Sequence, residues 1–280
     1  LKKNLLIGLF LIITLLPLGA GLCYSIFYSL GFSGVIGKGL TLEYWKEILF
    51  SGEFLYSLMY SLLIGIITVV ISFSLAFLLY PLVRQSKYNG QLLMFIPLCV
   101  PPMVWAFFHY VVFTGSGLIS RLAYSVGMIH GPADFPVLVN DQFGITVILT
   151  HVVMVVPFFI LYFIRIHQSE NIDELSLLAS SFGATKTKVK LKVALPVLMY
   201  KSRVMLVLYL IFVAGSYEVP LLLGGQSPRM ITVFILDKMQ KFSLDDKPVA
   251  YGAAFLYVVL MVIIILFSVN KMTLAQDGKE

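Results

Sequence analysis

The chain has 280 residues, of which 59% are hydrophobic and only 12% charged, with a mean hydropathy of +0.95. Soluble domains carry about a quarter charged residues, so this composition cannot furnish a water-facing surface. A soluble enzyme, a nucleic-acid-binding domain and a secreted disulfide scaffold are thereby excluded. The net charge of +6 and pI near 9.2 read instead as loop asymmetry, because basic residues gather on cytoplasmic loops. Cys23 and Cys99 lie in apolar runs with no metal-ligand or redox spacing.

A membrane-crossing helix needs about 20 predominantly apolar residues. Six stretches meet that need, near 5–30, 55–80, 91–113, 144–164, 204–223 and 250–269. The first follows Lys2 and Lys3. Its apolar run is too long for a signal-peptide core and lacks a clean small-residue cleavage site, so it reads as a retained anchor. Tyr44, Trp45 and Trp105 suit interface belts and bundle packing. Pro17, Pro97, Pro101, Pro102, Pro157 and Pro220 fall inside or near spans, where each removes a helical hydrogen bond. Broken backbone in a membrane needs protein or a water-filled cavity around it, and several breaks together suggest a translocation pathway. His109 and His151 fit hydrogen bonds within the bundle. Glu218, between Tyr217 and Pro220, is an ionisable group near the end of the fifth span, a position that is costly and often functional. Pro220 is expected to free carbonyls beside it.

With the N-terminus inside, 13 of the 20 lysines and arginines become cytoplasmic. These are Lys2, Lys3, Arg84, Lys87, Arg165, Lys186, Lys188, Lys190, Lys192, Lys201, Arg203, Lys271 and Lys279. Lys38, Lys46, Arg121, Arg229, Lys238, Lys241 and Lys247 fall outside. Both termini are therefore expected in the cytoplasm. Residues 81–90 form a short inner turn and 165–203 a long basic loop. With no repeat and no linker, residues 1–280 read as one domain.

The long loop opens with Asn171 and Glu174 at capping-box spacing. Leu175, Leu178, Ala179 and Phe182 follow at helical intervals, and Gly183 sits where a glycine ends a helix. This predicts a short amphipathic helix with an apolar face to bury at the lipid surface, on its own bundle or in a partner's groove. The helix carries Asp173 and Glu174 but no basic residue, which favours the partner. Lys186, Lys188, Lys190 and Lys192 alternate with other residues, a period that suits a strand or contact with anionic lipid.

These residues resemble the signature loop of permease subunits of binding-protein-dependent ABC importers. Its pattern is roughly Glu-Ala-Ala, three variable residues, Gly-Ala, and about a dozen residues later Leu-Pro. Ala179, Gly183, Ala184, Leu195 and Pro196 match it, and Asp173-Glu174-Leu175 resembles its lead-in. Leu177 and Leu178 stand at the first two motif positions, so the motif's Glu is missing. Gly115-Ser-Gly-Leu-Ile-Ser-Arg-Leu-Ala and Val156-Pro-Phe resemble further stretches, with Ser120 where the family has Asn. Val219-Pro-Leu-Leu-Leu-Gly-Gly225 resembles the polyamine, iron(III) and thiamine branch.

The resemblance implies an all-α polytopic fold of the type I importer permease kind, with about six spans and a coupling helix. It implies a subunit that moves a small solute, such as a polyamine, thiamine or iron, by alternating access across a bacterial inner membrane. ATPase coupling would fall to Glu174, Leu175, Leu178, Ala179, Phe182, Gly183, Ala184, Leu195 and Pro196. Tyr217, Glu218 and Pro220 would lie on the substrate pathway. The implied partners are a cytoplasmic ABC ATPase dimer, a second permease subunit, an extracytoplasmic substrate-binding protein and membrane lipid. No phosphate-binding loop occurs in this sequence, so the chain is expected to bind no cofactor and to be no enzyme, with ATP and Mg held by the ATPase. Two other readings are a rhomboid-like intramembrane protease using Ser116 and His151, and an ATP-independent secondary transporter. The latter would be expected to show repeated halves.

Overall fold

The computed structural model describes residues 2–34, 39–86 and 90–277, with side chains at 5–34, 39–86 and 90–268. The side chains of Lys2, Lys3, Lys38, Lys87, Lys271 and Lys279, which entered the orientation count, lie outside the described residues. In chain order the helices are α1 (Lys2–Ser29), α2 (Glu43–Phe50), α3 (Glu53–Gln85), α4 (Gly90–Leu93), α5 (Phe95–Cys99), α6 (Pro102–Phe113) and α7 (Leu118–Ser125). After a 3-10 turn at Pro132–Asp134 come α8 (Ile145–Ser169), α9 (Ile172–Ser181), α10 (Lys186–Val189), a π segment at Lys190–Ala194, and α11 (Leu195–Ala214). The chain continues through α12 (Glu218–Leu223), α13 (Ile231–Gln240) and α14 (Asp246–Asp277). Among the described residues there is no strand.

Six helical stretches are long and apolar enough to span a membrane: Leu5–Ser29, Glu53–Gln85, Pro102–Ser125, Ile145–Ser169, Lys186–Ala214 and Asp246–Ser268. Two differ from the sequence expectation. The third apolar run breaks at Val100, whose backbone is extended, because neither Pro101 nor Pro102 can donate to the preceding turn. Pro102 instead starts a new helix, where its missing N–H is no loss. The fifth span begins at Lys186, well before residue 204, and ends at Gly215, before α12. A hydropathy window sees only the charge-free middle of such a helix, whereas lysine is a good helix former and lets the backbone run on. Most of the expected 165–203 loop is consequently helical. The alternating lysines lie on helix, and Lys190 sits 5.1 Å from the Phe77 ring centroid.

The chain divides into two compact units, Leu1–Met59 with Met230–Ile264 and Tyr60–Arg229 with Ile265–Glu280. In the first, Ile48 of α2, Ile231 and Phe234 of α13, and Ala250 and Ala253 of α14 are buried. Tyr44 is buried there too, in line with the packing role expected of it, and its hydroxyl donates to Asp245 Oδ1 at 3.3 Å. Trp45 Nε1 donates to Ser29 Oγ at 3.1 Å. Lys238 of α13, its side chain only 11% exposed, donates to Asp246 Oδ1 at 2.9 Å and Glu47 Oε1 at 3.2 Å. One cation thus ties α2, α13 and α14. Burial works against its charge, but the two carboxylates more than offset this and hold Lys238 above the ordinary lysine pKa.

The second unit is built around α8, whose Phe159, Ile160, Phe163 and Ile164 are buried. Phe73 of α3 meets Phe163 edge-on, with centroids 5.0 Å apart. His109 Nδ1 of α6 lies 3.0 Å from Thr150 Oγ1 of α8, and Trp105 stacks on the same imidazole. His151 Nδ1 lies 2.8 Å from the Val147 carbonyl of its own helix.

Candidate functional site

The α8–α9 corner is built by Asn171, whose left-handed backbone (φ +47) reverses the chain. Asparagine tolerates that conformation better than most residues. Its side chain makes no capping bond, so the expected capping box does not form. The other end matches expectation. Gly183 adopts φ +83, its N–H donates to the Ser180 carbonyl at 2.9 Å, and the Ala184 N–H donates to the Ala179 carbonyl at 3.1 Å. This pair of bonds is a Schellman closure, which needs a residue free of the Cβ penalty.

Between these ends α9 is two-faced. Ile172 is fully buried, with Ser176 and Ala179 half-buried beside it, and α9 packs on α10 and the π segment. Leu175 and Leu178 are exposed, and Phe182 is 83% exposed. At about 100° per residue these three form one stripe. Ala179 therefore belongs to the edge of the buried side, and the outward apolar stripe is narrower than the sequence suggested. Leu177 is exposed about 100° away from Leu178, so the position of the missing motif Glu faces outward as an apolar side chain. Glu174 is exposed, Ala184 and Leu195 are half-buried, and Pro196 is exposed. Leu195 and Pro196 open α11 directly after the π segment on which α9 rests.

Sequence reasoning missed what holds α9 in place. Arg84, in the last turn of α3, grips Asp173 with both terminal nitrogens: Nη1 to Oδ2 at 2.6 Å and Nη2 to Oδ1 at 3.0 Å. His167 Nε2 of α8 reaches the same Oδ1 at 3.0 Å, and its Nδ1 lies 3.5 Å from the buried Tyr80 hydroxyl. Donation from Nε2 leaves Nδ1 as the acceptor for Tyr80. The Arg84 bonds first and the His167 bond second hold the Asp173 carboxyl well below the usual carboxylate range. Around the corner, Lys201 Nζ of α11 meets Glu170 Oε1 at 2.7 Å. The one available sequence signal was an arginine ending an apolar helix and an aspartate opening the loop helix, with opposite charges and nothing to pair them.

A second place gathers predicted residues. A cavity of about 310 Å³ is lined by His151, Met154, Phe212, Ser216, Tyr217 and Glu218, among others. It shares Pro102, Met154 and Phe212 with a neighbouring cavity of about 240 Å³ that reaches Leu98 and Val100 at the break of the third apolar run. Tyr217 and Glu218 are thus brought together, and Glu218 is exposed with no ion-pair partner among the described residues. Pro220 is not part of the lining. It is buried in the first turn of α12, where a backbone N–H has no helical partner anyway, so it frees no carbonyl. The glycines that follow have a packing role: a Cβ on Gly225 would sit 2.9 Å from the Asp141 carbonyl oxygen. The Asn140 N–H donates to the Leu223 carbonyl at 2.9 Å alongside. Asp141 in turn caps the start of α8, accepting from the Ile145 N–H at 3.0 Å. Ser116 and His151 line different cavities, so the structure assembles no serine–histidine pair from them. Among the described residues no group of acidic, histidine and cysteine side chains could hold a metal ion.

The molecule is an all-helical membrane protein with six candidate spans and a short, firmly anchored helix between the fourth and fifth. No family model and no curated sequence matches the chain. Solved structures do. It aligns with a chain of a bacterial ABC transporter involved in the import of the acidic polysaccharide alginate, with a TM-score of 0.74, 17% identity, and coverage of 97% of this chain and 94% of that one. It also aligns with a chain of the bacterial alginate ABC transporter in complex with a periplasmic protein bound to an alginate pentasaccharide, with a TM-score of 0.73, 18% identity, and coverage of 95% and 91%. The fold is therefore the ABC importer permease type expected from the sequence.

Proposed function

We propose that this chain is the membrane-spanning permease subunit of an ATP-driven importer, and that α9 is the helix by which a cytoplasmic ABC ATPase drives it. The observation that carries this reading is α9 itself: Leu175, Leu178 and Phe182 point outward from a helix fixed on its opposite side. A bare apolar stripe on an immobilised helix is suited to a groove on another chain, and the shared importer fold supplies the context. On this reading the corner of Asn171 and the end of Arg84 face the cytoplasm, both termini are cytoplasmic, and the 280 residues act as one permease. A second permease subunit completes the pathway, a binding protein delivers cargo from outside, and ATP and Mg belong to the ATPase.

The cargo proposed is a small cationic solute of the polyamine, thiamine or iron-bearing kind. This rests on the Glu218 carboxylate in a cavity walled by Phe212, Tyr217 and His151, where a cation would meet both charge and aromatic faces. Gly224 and Gly225 do not strengthen that assignment, because packing accounts for Gly225. The fold neighbours belong to a transporter of an acidic polysaccharide, so the cationic cargo proposed here rests on the cavity and draws no support from the fold.

The test is affinity purification in mild detergent of the wild-type chain and a Leu178→Asp/Phe182→Asp variant, with partners identified by mass spectrometry. Co-purification of an ABC ATPase with the wild type and its loss in the variant is expected. A wild-type chain that purifies without any ATPase, yet transports, defeats the reading.

A further inference from the structure

We infer that Asp173 is the joint through which movement of α9 is passed to the second and fourth spans, with Arg84 and His167 as its two sockets. The inference rests on the reading of α9 as the docking helix. A helix pushed by a partner moves the membrane portion only through connections that stay intact under load. α9 also packs on α10 and the π segment, but apart from the chain itself and the buried Ile172, its described polar contacts with α3 and α8 converge on one carboxylate.

The geometry suits that task. Asp173 lies roughly 170° around α9 from the centre of the Leu175–Leu178–Phe182 stripe, so a partner and the spans would hold opposite sides of the same helix. The Arg84 contact is bidentate, which fixes orientation as well as distance. The His167 contact continues inward. Its ring is buried, its Nδ1 faces the Tyr80 hydroxyl, and the Tyr80 ring meets Phe163 of α8 edge-on at 5.9 Å. A displacement of Asp173 therefore reaches the core of the second unit along polar contacts and then packed rings. Asp173, Arg84 and His167 touch neither nucleotide nor cargo; they are positioning residues.

The experiment uses the complete transporter in proteoliposomes and measures cargo uptake per ATP hydrolysed, alongside ATPase co-purification. Asp173→Ala and Arg84→Ala are expected to retain the ATPase, because the apolar stripe is untouched, and to lower uptake per ATP about tenfold. Asp173→Glu, which keeps a carboxylate for both Arg84 and His167, is expected to retain most of the wild-type ratio. Unchanged uptake per ATP in both alanine variants, with the ATPase still bound, overturns the joint while leaving the docking helix standing. Should the alanine variants fail to assemble, Asp173→Asn decides, since it keeps the shape and removes the charge: a depressed ratio supports the joint and a wild-type one overturns it. Absence of any ATPase from the wild-type preparation instead removes the permease reading, and the joint with it.

Discussion

Two ion clusters each tie three helices together, and they are inverse in both sign and exposure. In one, the cation Lys238 sits between Glu47 and Asp246 with its side chain 11% exposed. In the other, the anion Asp173 sits between Arg84 and His167 with its side chain 65% exposed. A sheltered charge is strongly dependent on its partners, since leaving it or them unpaired exposes the full cost of desolvation. A charge open to water has its pairing largely screened and contributes little to stability. The Lys238 cluster is therefore a fastening of the fold, whereas the Asp173 cluster fixes direction at small thermodynamic consequence. An element that must transmit movement needs the orientation that a bidentate contact fixes, and an exposed pair supplies it without making the surrounding fold depend on it.

The largest expected effect is on the fastening. Lys238→Ala leaves Glu47 and the sheltered Asp246 without their cation and should destabilise the protein by about 2 kcal/mol, read as a lower unfolding midpoint in detergent. A change no larger than that of a surface lysine would erase the contrast. Acid and alkali separate the two clusters next. Lys238 is raised in the folded protein, so its contribution is complete below 10.5 and declines as pH climbs through the folded value. Asp173 is lowered, so its contribution is complete above 3.8 and declines only as pH falls through the folded value. The stability gap to wild type should thus close towards alkaline pH for Lys238→Ala and towards acid pH for Asp173→Ala. Convergence at the alkaline end for Asp173→Ala would contradict the assignment.

Smaller effects follow. Gly183→Ala has open space for its methyl group but must hold φ +83, so it should cost about 1 kcal/mol and loosen the end of α9. Amide exchange at Ala184, whose N–H completes the closure, reports this directly. Last comes Asp173→Asn, expected to cost at most about 0.5 kcal/mol in unfolding. A penalty comparable to Lys238→Ala would make the joint a fastening after all.

The spans were legible because long apolar runs leave few alternatives, and the C-terminal end of α9 was legible because Gly183 is a local signal. What escaped was either a boundary or a distant pairing. The fifth span starts earlier than its apolar core because Lys186 to Lys192 continue the helix. The capping box at Asn171 looked right by spacing, yet a left-handed φ turns that side chain away from the role. Arg84 and Asp173 stand 89 positions apart, and Lys238 and Glu47 191 apart. Charge patterning along a chain cannot choose such partners without the fold. Glu218 was legible as an ionisable group near a span end, but its companions His151 and Phe212 came from other helices, and Pro220 was misjudged because a new helix starts two residues before it.

The π segment Lys190–Ala194 carries a consequence of its own. Pro196 cannot donate to residue 192 and would crowd its carbonyl in a regular helix; the widened turn before it accommodates that conflict. A widened turn holds one residue more than an α turn, and it absorbs that surplus residue without turning the platform under α9 against the membrane-crossing part of α11. Deleting a single residue from 190–194 would close the widened turn into a regular one and leave its flanks nearly in phase, but it would set the Pro196 ring against the carbonyl four residues before it. The penalty would thus fall on the start of α11, as a kink at Pro196, and not on the direction in which α9 faces. A Pro196→Ala change made together with the deletion should remove that penalty, and a library varying both should recover the two together more often than the deletion alone.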